Sequence, residues 1–373
     1  MTDFNHIETK YITFDKPLPL ESGAVLPEIT LAYETYGDLN EDKSNAILVF
    51  HALTGDAHAA GRHTPEDRKP GWWDPMIGPG EAFDTDKYFV ICANTIGGCM
   101  GSTGPVSVNP KTGKRYGSDF PIVTIGDMVA AQKMLIDHMG IGKLFCVVGG
   151  SMGGMMTLQW AKSYPERTGL VIPIATTAHM SAQGIAFDAV GRTAVMSDPN
   201  WNNGDYYDGE GPENGLAVAR MIAHITYMSK ESMRQKFGRR LQNSSSLRYD
   251  HENDFRVENY LEYQGGIFVK RFDANSYICV TKALDYFDLA QPSGDLRKEL
   301  APTKDSPVLI ISISSDWLCP TEMSKEIASA LRRTHLYISY AEMDSDYGHD
   351  AFLVETDSLT NLIGNFLSMF EKK

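Results

Sequence analysis

The chain has 373 residues, of which 42% are hydrophobic and 22% are charged, a balance typical of a globular protein and not of a disordered, collagen-like or coiled-coil chain. Its formal net charge of -14 argues against a broad binding surface for nucleic acid or anionic membrane, because such surfaces need clustered Lys and Arg. The length predicts two domains, or one open α/β domain that carries an inserted subdomain.

The amino-terminal segment carries acids and lacks the apolar core of a signal peptide, since its first residues are Met-Thr-Asp-Phe-Asn-His-Ile-Glu. No stretch of the sequence approaches the length and apolar character that a bilayer span needs. A cytoplasmic location is therefore expected.

The first half of the chain alternates short β-rich runs, bounded by Gly, Pro and Asn, with helical stretches. The runs predicted as strands are Ile29 to Tyr36, Ala46 to Phe50, Tyr88 to Ala93 and Leu144 to Gly150. Apolar residues recur at helical spacing from Ile125 to Met139, and Thr124 is placed to cap that helix. The continuous apolar run Leu144 to Val148 is typical of a parallel strand covered on both faces. A helix from Met155 to Tyr164, ended by Pro165, is predicted to follow it.

The middle of the chain, from about Ala178 to Pro302, has a different texture. It is rich in Met, Arg, Asn and Tyr, has little strand character, and places Leu216, Ala219, Ile222 and Ala223 at helical spacing. We interpret residues 178–302 as a mainly helical insertion that forms a lid over the carboxyl edge of the sheet, where open α/β folds bind ligands. An independent helical domain is the alternative. Residues 1–177 and 303–373 would then form the core.

The alternation of strand and helix resumes near residue 305. A strand is predicted at Val308 to Ile313, a helix around Met323 to Leu331 and a further strand at Leu336 to Tyr340. The predicted fold is therefore α/β, with a mostly parallel central sheet and a helical insertion before the late strands.

A Gly-x-Ser-x-Gly motif, Gly149 to Gly153 with Ser151 at its centre, lies directly after a buried strand and directly before a helix. This is the context that a nucleophile elbow requires. Such a turn strains the backbone of the serine, and small neighbours let the strand and the helix approach each other. The hydroxyl then stands at the amino end of the helix, where negative charge is favoured. A glycine-rich turn without chemistry is the alternative interpretation.

A serine nucleophile needs a base, and the base needs a carboxylate that fixes its tautomer. In this architecture the chain order is Ser, acid, His. Asp316 follows the strand that ends at Ile313, and His349 follows the next strand, so both are predicted at the carboxyl edge. Nearby rivals are the carboxylates Asp305, Asp344 and Asp346 and the second late histidine, His335. His335 is expected to begin a strand and therefore to lie at the opposite edge.

Backbone N–H groups must stabilise the oxyanion that forms on the acyl carbonyl. The expected donors are Met152, directly after the serine, and Leu53, in the loop His51 to Gly55 that follows an early strand. Because a backbone donor leaves the side chain free, Ala52 and Thr54 stay open as alternatives to Leu53.

The five cysteines are odd in number and scattered, with no C-x-x-C pair: Cys92, Cys99, Cys146, Cys279 and Cys319. Neither a disulfide framework nor a zinc site is predicted from this pattern. We interpret them as reduced thiols that mostly fill the core, with a catalytic cysteine as the alternative.

Several further motifs are spread over nearly the whole chain. They are Leu31-Ala-Tyr-Glu-Thr-Tyr-Gly37, His51-Ala-Leu-Thr-Gly55, Gly71-Trp-Trp-Asp74, Ile77-Gly-Pro-Gly80, Asp84-Thr85 with Tyr88 to Ile91, Gly98-Cys-Met-Gly-Ser-Thr-Gly-Pro105, Gly149 to Gly154, Ala219 to Tyr227, Ser315-Asp316-Trp317 and Tyr347-Gly-His-Asp350. In these motifs the sequence resembles the homoserine O-acetyltransferase family, α/β-hydrolase-fold acyltransferases of methionine biosynthesis.

The resemblance implies a ping-pong transfer of an acyl group from acetyl-CoA to the side-chain hydroxyl of homoserine, through an acyl-enzyme on Ser151. It carries over Ser151, Asp316 and His349 as the triad, with Leu53 and Met152 as the oxyanion amides. Family members are typically homodimers that associate through the helical lid and need no metal and no permanently bound cofactor.

Homoserine is a zwitterion, so its site should offer a cation to the carboxylate and an anion to the ammonium group. Arg220 can make a planar bidentate contact, Asp350 is adjacent to His349, and Tyr227 lies two helical turns beyond Arg220. Surface and loop roles for Arg220 and Asp350 are the alternative. For the CoA phosphates, Arg62, Arg68 and Lys69 are weak candidates.

Three rival functions remain from the sequence. A sister transferase could use succinyl-CoA as donor or L-serine as acceptor. A hydrolase on the same fold would be expected to lack the residues that recognise the zwitterion, and a non-catalytic binding module would be expected to have lost a triad residue. The presence of all these residues favours transfer.

Overall fold

The computed structural model describes residues 6–242 and 245–371. Residues 1–5, the start of the segment inspected above for a signal peptide, lie outside the described residues. Within them, no helix is long and apolar enough to cross a membrane.

The strands of the described chain are numbered in chain order. They are β1 (Lys10–Phe14), β2 (Leu18–Pro19), β3 (Val25–Leu26), β4 (Ile29–Tyr36), β5 (Ala46–Phe50), β6 (Ile77–Gly78), β7 (Phe83–Asp84), β8 (Phe89–Ala93), β9 (Leu144–Gly150), β10 (Thr168–Ile174), β11 (Val308–Ile313) and β12 (Ile338–Met343). The central sheet has the order β1-β4-β8-β5-β9-β10-β11-β12. Along the sheet from β8 to β12, every strand is parallel to its neighbours. At the other side, β4 pairs antiparallel with both β1 and β8.

The α-helices are numbered in the same way. They are α1 (Ile125–His138), α2 (Met152–Ser163), α3 (Ala182–Ser197), α4 (Glu213–Tyr227), α5 (Lys230–Lys236), α6 (Arg256–Phe268), α7 (Ala274–Asp285), α8 (Leu296–Leu300), α9 (Thr321–Leu331), α10 (Ala351–Val354) and α11 (Thr356–Ser368). Short 3-10 helices lie at Asp74–Met76, Gly117–Asp119, Pro165–Arg167, Pro199–Gly204, Ala301–Thr303 and Gly348–Asp350.

The central strands of the sheet are buried on both faces, as the apolar sequence of β9 predicts. Side chains alternate between two apolar clusters, so that Val147 packs in the cluster that contains Met128 of α1 and Val148 packs in the cluster that contains Phe366 of α11. Helix α1 begins with a capping box, in which Thr124 accepts the N–H of Asp127 and the Asp127 carboxylate accepts the N–H of Thr124. The α/β fold predicted from the sequence is confirmed.

Most predicted elements agree closely with the structure. Strands β4, β5, β9 and β11 have the predicted bounds. The last strand, however, begins at Ile338 and not at Leu336, because Leu336 and Tyr337 are 87% and 61% exposed and lie outside the ladder with β11. Helix α9 begins two residues earlier than predicted, directly after Pro320.

The segment between β10 and β11 carries α3 to α8. Helix α3 packs on α4 and α7, and α4 packs on α6. The division of the chain into a core and a helical insertion stays a prediction. All five cysteines are free, and Cys99 alone among them is not fully buried.

The parallel strands align the candidate residues. Strands β5, β9, β11 and β12 end at Phe50, Gly150, Ile313 and Met343, and the loops that carry the candidate residues follow these ends. Because neighbouring strands of this set are parallel, the loops meet at one edge of the sheet.

Candidate active site

Ser151 lies at the turn between β9 and α2 with a strained backbone, at φ 57° and ψ -121°. Its N–H donates to Ile174 at 2.9 Å, and its carbonyl accepts the hydroxyl of Thr176 at 2.8 Å. A Cβ on Gly149 would lie 2.5 Å from the backbone of Gly153, so this close approach of strand and helix requires glycine. The strained turn and its fixed hydrogen bonds agree with the predicted nucleophile elbow.

Ser151, His349 and Asp316 form one hydrogen-bonded chain. The Ser151 Oγ lies 2.8 Å from His349 Nε2, and His349 Nδ1 lies 2.6 Å from Asp316 Oδ2. Because an ionised carboxylate can only accept, Nδ1 carries the proton and Nε2 is left to accept the serine hydroxyl. The arrangement suits a serine that gives up its proton to an imidazole.

Asp316 is held in place by its own loop. Its Oδ1 accepts the backbone N–H groups of Leu318 and Cys319, both at 2.9 Å. Both His349 and Asp316 are buried. Burial opposes a charged His349, but the charge and hydrogen bond of Asp316 outweigh it and raise the pKa of His349 above its usual value.

The rival residues make other contacts. Asp344 accepts the hydroxyl of Ser314 at 3.0 Å, and Asp346 accepts the side-chain amide of Gln235 at 3.1 Å. His335 contacts the Thr303 hydroxyl at 2.7 Å, before the start of β11 and thus at the opposite edge of the sheet.

A cavity of about 60 Å³ opens beside Ser151 and Leu53. Most of its wall is apolar, formed by Met155 of α2, Phe187 of α3, Met323 of α9 and other side chains. Among the described residues that form this lining there is no Lys or Arg. A small uncharged group attached to Ser151 would fit this environment without an unpaired charge.

Both candidate oxyanion donors lie next to the serine. Met152 is the first residue of α2, and Leu53 lines the cavity together with Ser151. Among the described residues, neither backbone N–H donates to a backbone carbonyl. Two N–H groups without a backbone acceptor beside one serine hydroxyl suit the stabilisation of a developing anion.

Arg220 and Tyr227 lie together on one face of α4, as predicted. The Arg220 guanidinium is 5.7 Å from the centre of the Tyr227 ring and 4.7 Å from that of Phe268. Arg220 Nη1 donates to the Thr54 hydroxyl at 3.3 Å. The ring of Tyr227 in turn lies 6.0 Å from that of His349, so the helix brings a cation close to the triad.

Asp350 follows His349 directly. Burial raises the pKa of its carboxyl above the usual value, although His349 and Arg220 act in the opposite direction. Within the described ranges, Asp350 forms no ion pair with Arg220 at 4.0 Å or less. A cation and a carboxyl group therefore face the same region without neutralising each other in direct contact.

Sequence reasoning missed several residues of this region. Arg271 donates to the Thr54 carbonyl at 2.9 Å, and Asp188 lines the cavity. Burial, together with the charge of Asp285, raises the pKa of Asp188 to about 8. Neither lies in a recognisable motif: helical periodicity could have suggested Asp188 in α3, but Arg271 follows α6 and has no such signal. Arg62, Arg68 and Lys69 do not line the cavity.

Two groups of side chains within the described residues have ligand atoms close enough together to hold a metal ion: Asp316 with Cys319 and His349, and Glu34 with His58 and His63. In the second group the Glu34 oxygens lie 2.9 Å from His58 Nδ1 and 2.8 Å from His63 Nε2. Glu34 also accepts the hydroxyls of Thr9 and Tyr36. These four hydrogen bonds satisfy the carboxylate without an ion, so we interpret the cluster as structural.

The chain is similar to known proteins over most of its length. A family model described as the alpha/beta hydrolase fold matches residues 45–356. The homoserine O-acetyltransferase of Methanococcoides burtonii is 58% identical over 362 residues, which are 97% of this chain and 74% of that protein.

Solved structures give a similar result. The crystal structure of homoserine O-acetyltransferase from Bacillus anthracis has a TM-score of 0.92 and 30% identity, over 97% of this chain and 98% of that one. Esterase E22 has a TM-score of 0.89 and 31% identity, over 97% of this chain and 100% of that one.

Proposed function

Because the chain belongs to the homoserine O-acetyltransferase family of the α/β-hydrolase fold, we propose that it moves an acetyl group from acetyl-CoA to the side-chain hydroxyl of L-homoserine, in methionine biosynthesis. One observation carries the proposal. Ser151 lies at the cavity wall and is hydrogen-bonded through His349 to Asp316, and the charges of Arg220 and Asp350 lie nearby.

In the first half-reaction, His349 Nε2 takes the proton of Ser151 as the serine oxygen attacks the thioester carbonyl carbon. The carbonyl oxygen becomes an oxyanion that accepts the N–H groups of Leu53 and Met152. When the carbon–sulfur bond breaks, the CoA sulfur leaves with the proton from His349. Acetyl-Ser151 and CoA are the products.

In the second half-reaction, His349 takes the proton of the homoserine hydroxyl, and the hydroxyl oxygen attacks the acetyl carbon. The same two amides stabilise the second oxyanion. The bond from the acetyl carbon to Ser151 then breaks, and Ser151 recovers a proton from His349. Asp316 keeps its charge throughout and stabilises the imidazolium.

The acceptor would be oriented by its charges. Arg220 would bind the α-carboxylate, Asp350 the ammonium group, and the Tyr227 hydroxyl would add a polar contact. Holding the hydroxyl in attack geometry favours transfer over reaction with water, because water has no such anchors.

Acetyl-CoA is favoured over succinyl-CoA by the cavity. A mostly apolar lining, with no Lys or Arg among its described residues, suits a short uncharged acyl group. Among the described residues that line this cavity, a succinyl carboxylate would meet Asp188 and no Lys or Arg, and burying an unpaired charge there is costly.

Ester hydrolysis is the second candidate function, because esterase E22 is similar in fold and is 31% identical. The triad can perform both reactions, so the residues that bind the acceptor distinguish acyl transfer from hydrolysis. Arg220 and Asp350 favour transfer to a zwitterionic alcohol.

The helical insertion would also form a homodimer interface. In its support, α3 exposes Val190 and Met196, α4 exposes Val218 and Ile225, and α6 exposes Ile267. Contiguous exposed apolar side chains are typical of interaction surfaces. A cytoplasmic location stays a prediction.

Intact-protein mass spectrometry tests the proposed function. The protein is mixed with acetyl-CoA or succinyl-CoA and then with homoserine, serine or buffer. An acetyl adduct that homoserine discharges quickly and water slowly is expected, with no adduct in Ser151→Ala. Rapid discharge by water would indicate an esterase, and a succinyl adduct or discharge by serine would indicate a sister transferase.

A further inference from the structure

Thr54 is the meeting point of two guanidinium groups. Arg220 donates to its hydroxyl at 3.3 Å, and Arg271 Nη2 donates to its backbone carbonyl at 2.9 Å. Both guanidinium carbons also lie over the ring of Phe268, at 4.7 Å and 5.9 Å from its centre. Helix α4 and the residues after α6 thus bring two positive charges to one threonine and one ring.

These two charges lack a close counter-charge. Among residues 6–242 and 245–371, no carboxylate oxygen lies within 4.0 Å of either guanidinium. Asp56 acts on Arg271 from farther away, and its Oδ1 already accepts the backbone N–H of His58 at 3.0 Å. Burial lowers the pKa of Arg271, and the charge of Arg220 acts in the same direction. Two adjacent cations in a chain of net charge -14 form a site for an anion.

The position of the pair limits which anion can bind. Thr54 directly follows Leu53, a cavity residue beside Ser151, so the anion must lie close to the reacting acyl group. The phosphates of CoA are separated from its thioester by the long pantetheine arm, and an acetyl group has no charge. The α-carboxylate of a hydroxy amino acid is separated from the reacting hydroxyl by only a short carbon chain.

We propose that Arg271 is a second carboxylate-binding residue, which together with Arg220 clamps the α-carboxylate of the amino-acid acceptor. The proposal rests on the proposed function, because it presumes transfer to a hydroxy amino acid. Phe268 would hold both guanidinium planes by cation–π contact. The carboxylate would lie between the two guanidinium groups, with the ammonium group directed toward Asp350.

The test compares acceptors with and without a carboxylate. Acetyl-Ser151 is formed with acetyl-CoA and then discharged by L-homoserine or by 3-amino-1-propanol, which keeps the alcohol and the amine. We expect Arg271→Ala to lower the second-order rate constant for homoserine by about 10- to 100-fold, the worth of a charged hydrogen bond. Discharge by the aminoalcohol should change less than about twofold. Arg271→Lys should recover part of the loss because it keeps the charge.

Lys270→Ala is the matched control, since it removes the neighbouring exposed positive charge and should behave as the parent protein. The proposal is overturned if Arg271→Ala slows both acceptors equally, which would indicate a role in holding Thr54. It is also overturned if the variant slows acylation by acetyl-CoA but not by the acetyl thioester of N-acetylcysteamine, which would assign Arg271 to the CoA phosphates. Absence of any acetyl adduct in the parent protein would instead contradict the proposed function.

Discussion

The indole N–H of Trp317 donates to the backbone carbonyl of Met228 at 3.0 Å. This hydrogen bond joins the loop that carries Asp316 to the end of the helix that carries Arg220. The Trp317 ring also packs edge-on against Phe187 of α3, with 5.6 Å between ring centres. The carboxylate of the proposed triad and the proposed acceptor site are therefore connected by one side chain.

Trp317→Phe should separate these roles, because the smaller ring keeps an aromatic contact and loses the donor. We expect the free energy of unfolding to fall by about 1–2 kcal/mol. Discharge of the acyl-enzyme by homoserine should slow more than its formation does. Urea unfolding and the two half-reaction rates measure these effects. Trp201→Phe, which removes an indole bond to Asn275, is the control, and a similar slowing there would contradict the specific connection.

Arg220→Ala should damage the second half-reaction far more than the first, because only that step involves the amino acid. Loss of a charged hydrogen bond predicts a decrease of about 10- to 100-fold in the rate constant for homoserine. Rapid mixing with acetyl-CoA and then with homoserine measures the two steps separately. Equal losses in both would point to a structural role of the residue.

Asp316→Asn should lower the acylation rate by about 10⁴-fold, as loss of the carboxylate does in other serine triads. It should also move the pH profile. The base must be neutral, so kcat/KM for acetyl-CoA rises with pH through the pKa of His349. Burial disfavours the charged imidazole, and Asp316 is what raises the pKa of His349, so its removal should shift the rising limb to lower pH. Asp344→Asn, at an exposed acid, should leave the midpoint unchanged; a shift there too would contradict the assignment.

Glu34→Gln should reduce stability over a limited pH window. Burial alone would raise the pKa of Glu34, but the hydrogen bonds, led by those of His58 and His63, lower it from 4.5 to about 2. The stability that the ionised Glu34 carboxylate contributes is present above pH 4.5 and is lost as the pH falls toward 2. Burial opposes a charged His58, but Glu34 raises the pKa of His58 above its usual value of 6.5. The stability that the charged His58 contributes is therefore present below pH 6.5 and is lost at higher pH.

The loss of unfolding free energy in Glu34→Gln should therefore be largest between pH 4.5 and 6.5, at about 2–4 kcal/mol, since a buried charge pair is broken. Unfolding by urea at about pH 3, 5.5 and 9 measures it. The exposed Glu28→Gln is the control. A pH-independent difference between Glu34→Gln and the parent would mean that packing, and not charge, is responsible.

The residues that follow strand ends could be predicted from the sequence because strand order and local motifs restrict them. Ser151 lies in a motif with a fixed backbone requirement, and Asp316 and His349 follow recognisable apolar strands. Arg271 and Asp188 could not be predicted in this way. Asp188 lies in α3, where helical spacing indicates a buried face but not the residues that this face meets, and Arg271 lies in the turn between α6 and α7, where no spacing pattern applies. The sequence indicates Thr54 only as an alternative backbone donor to the oxyanion, whereas its side chain contacts Arg220.

The five free cysteines affect how protein acylation can be measured. Thioesters exchange with thiolates, so a reactive cysteine could accept an acetyl group and imitate an acyl-enzyme. Burial raises the pKa of Cys99 and Cys279 to about 12, and it raises the pKa values of Cys92, Cys146 and Cys319 well above their usual value. These thiols therefore stay protonated near neutral pH. An added acetyl mass on the intact native protein is consequently not expected on a thiol, and its loss in Ser151→Ala identifies the serine ester without a cysteine-free variant.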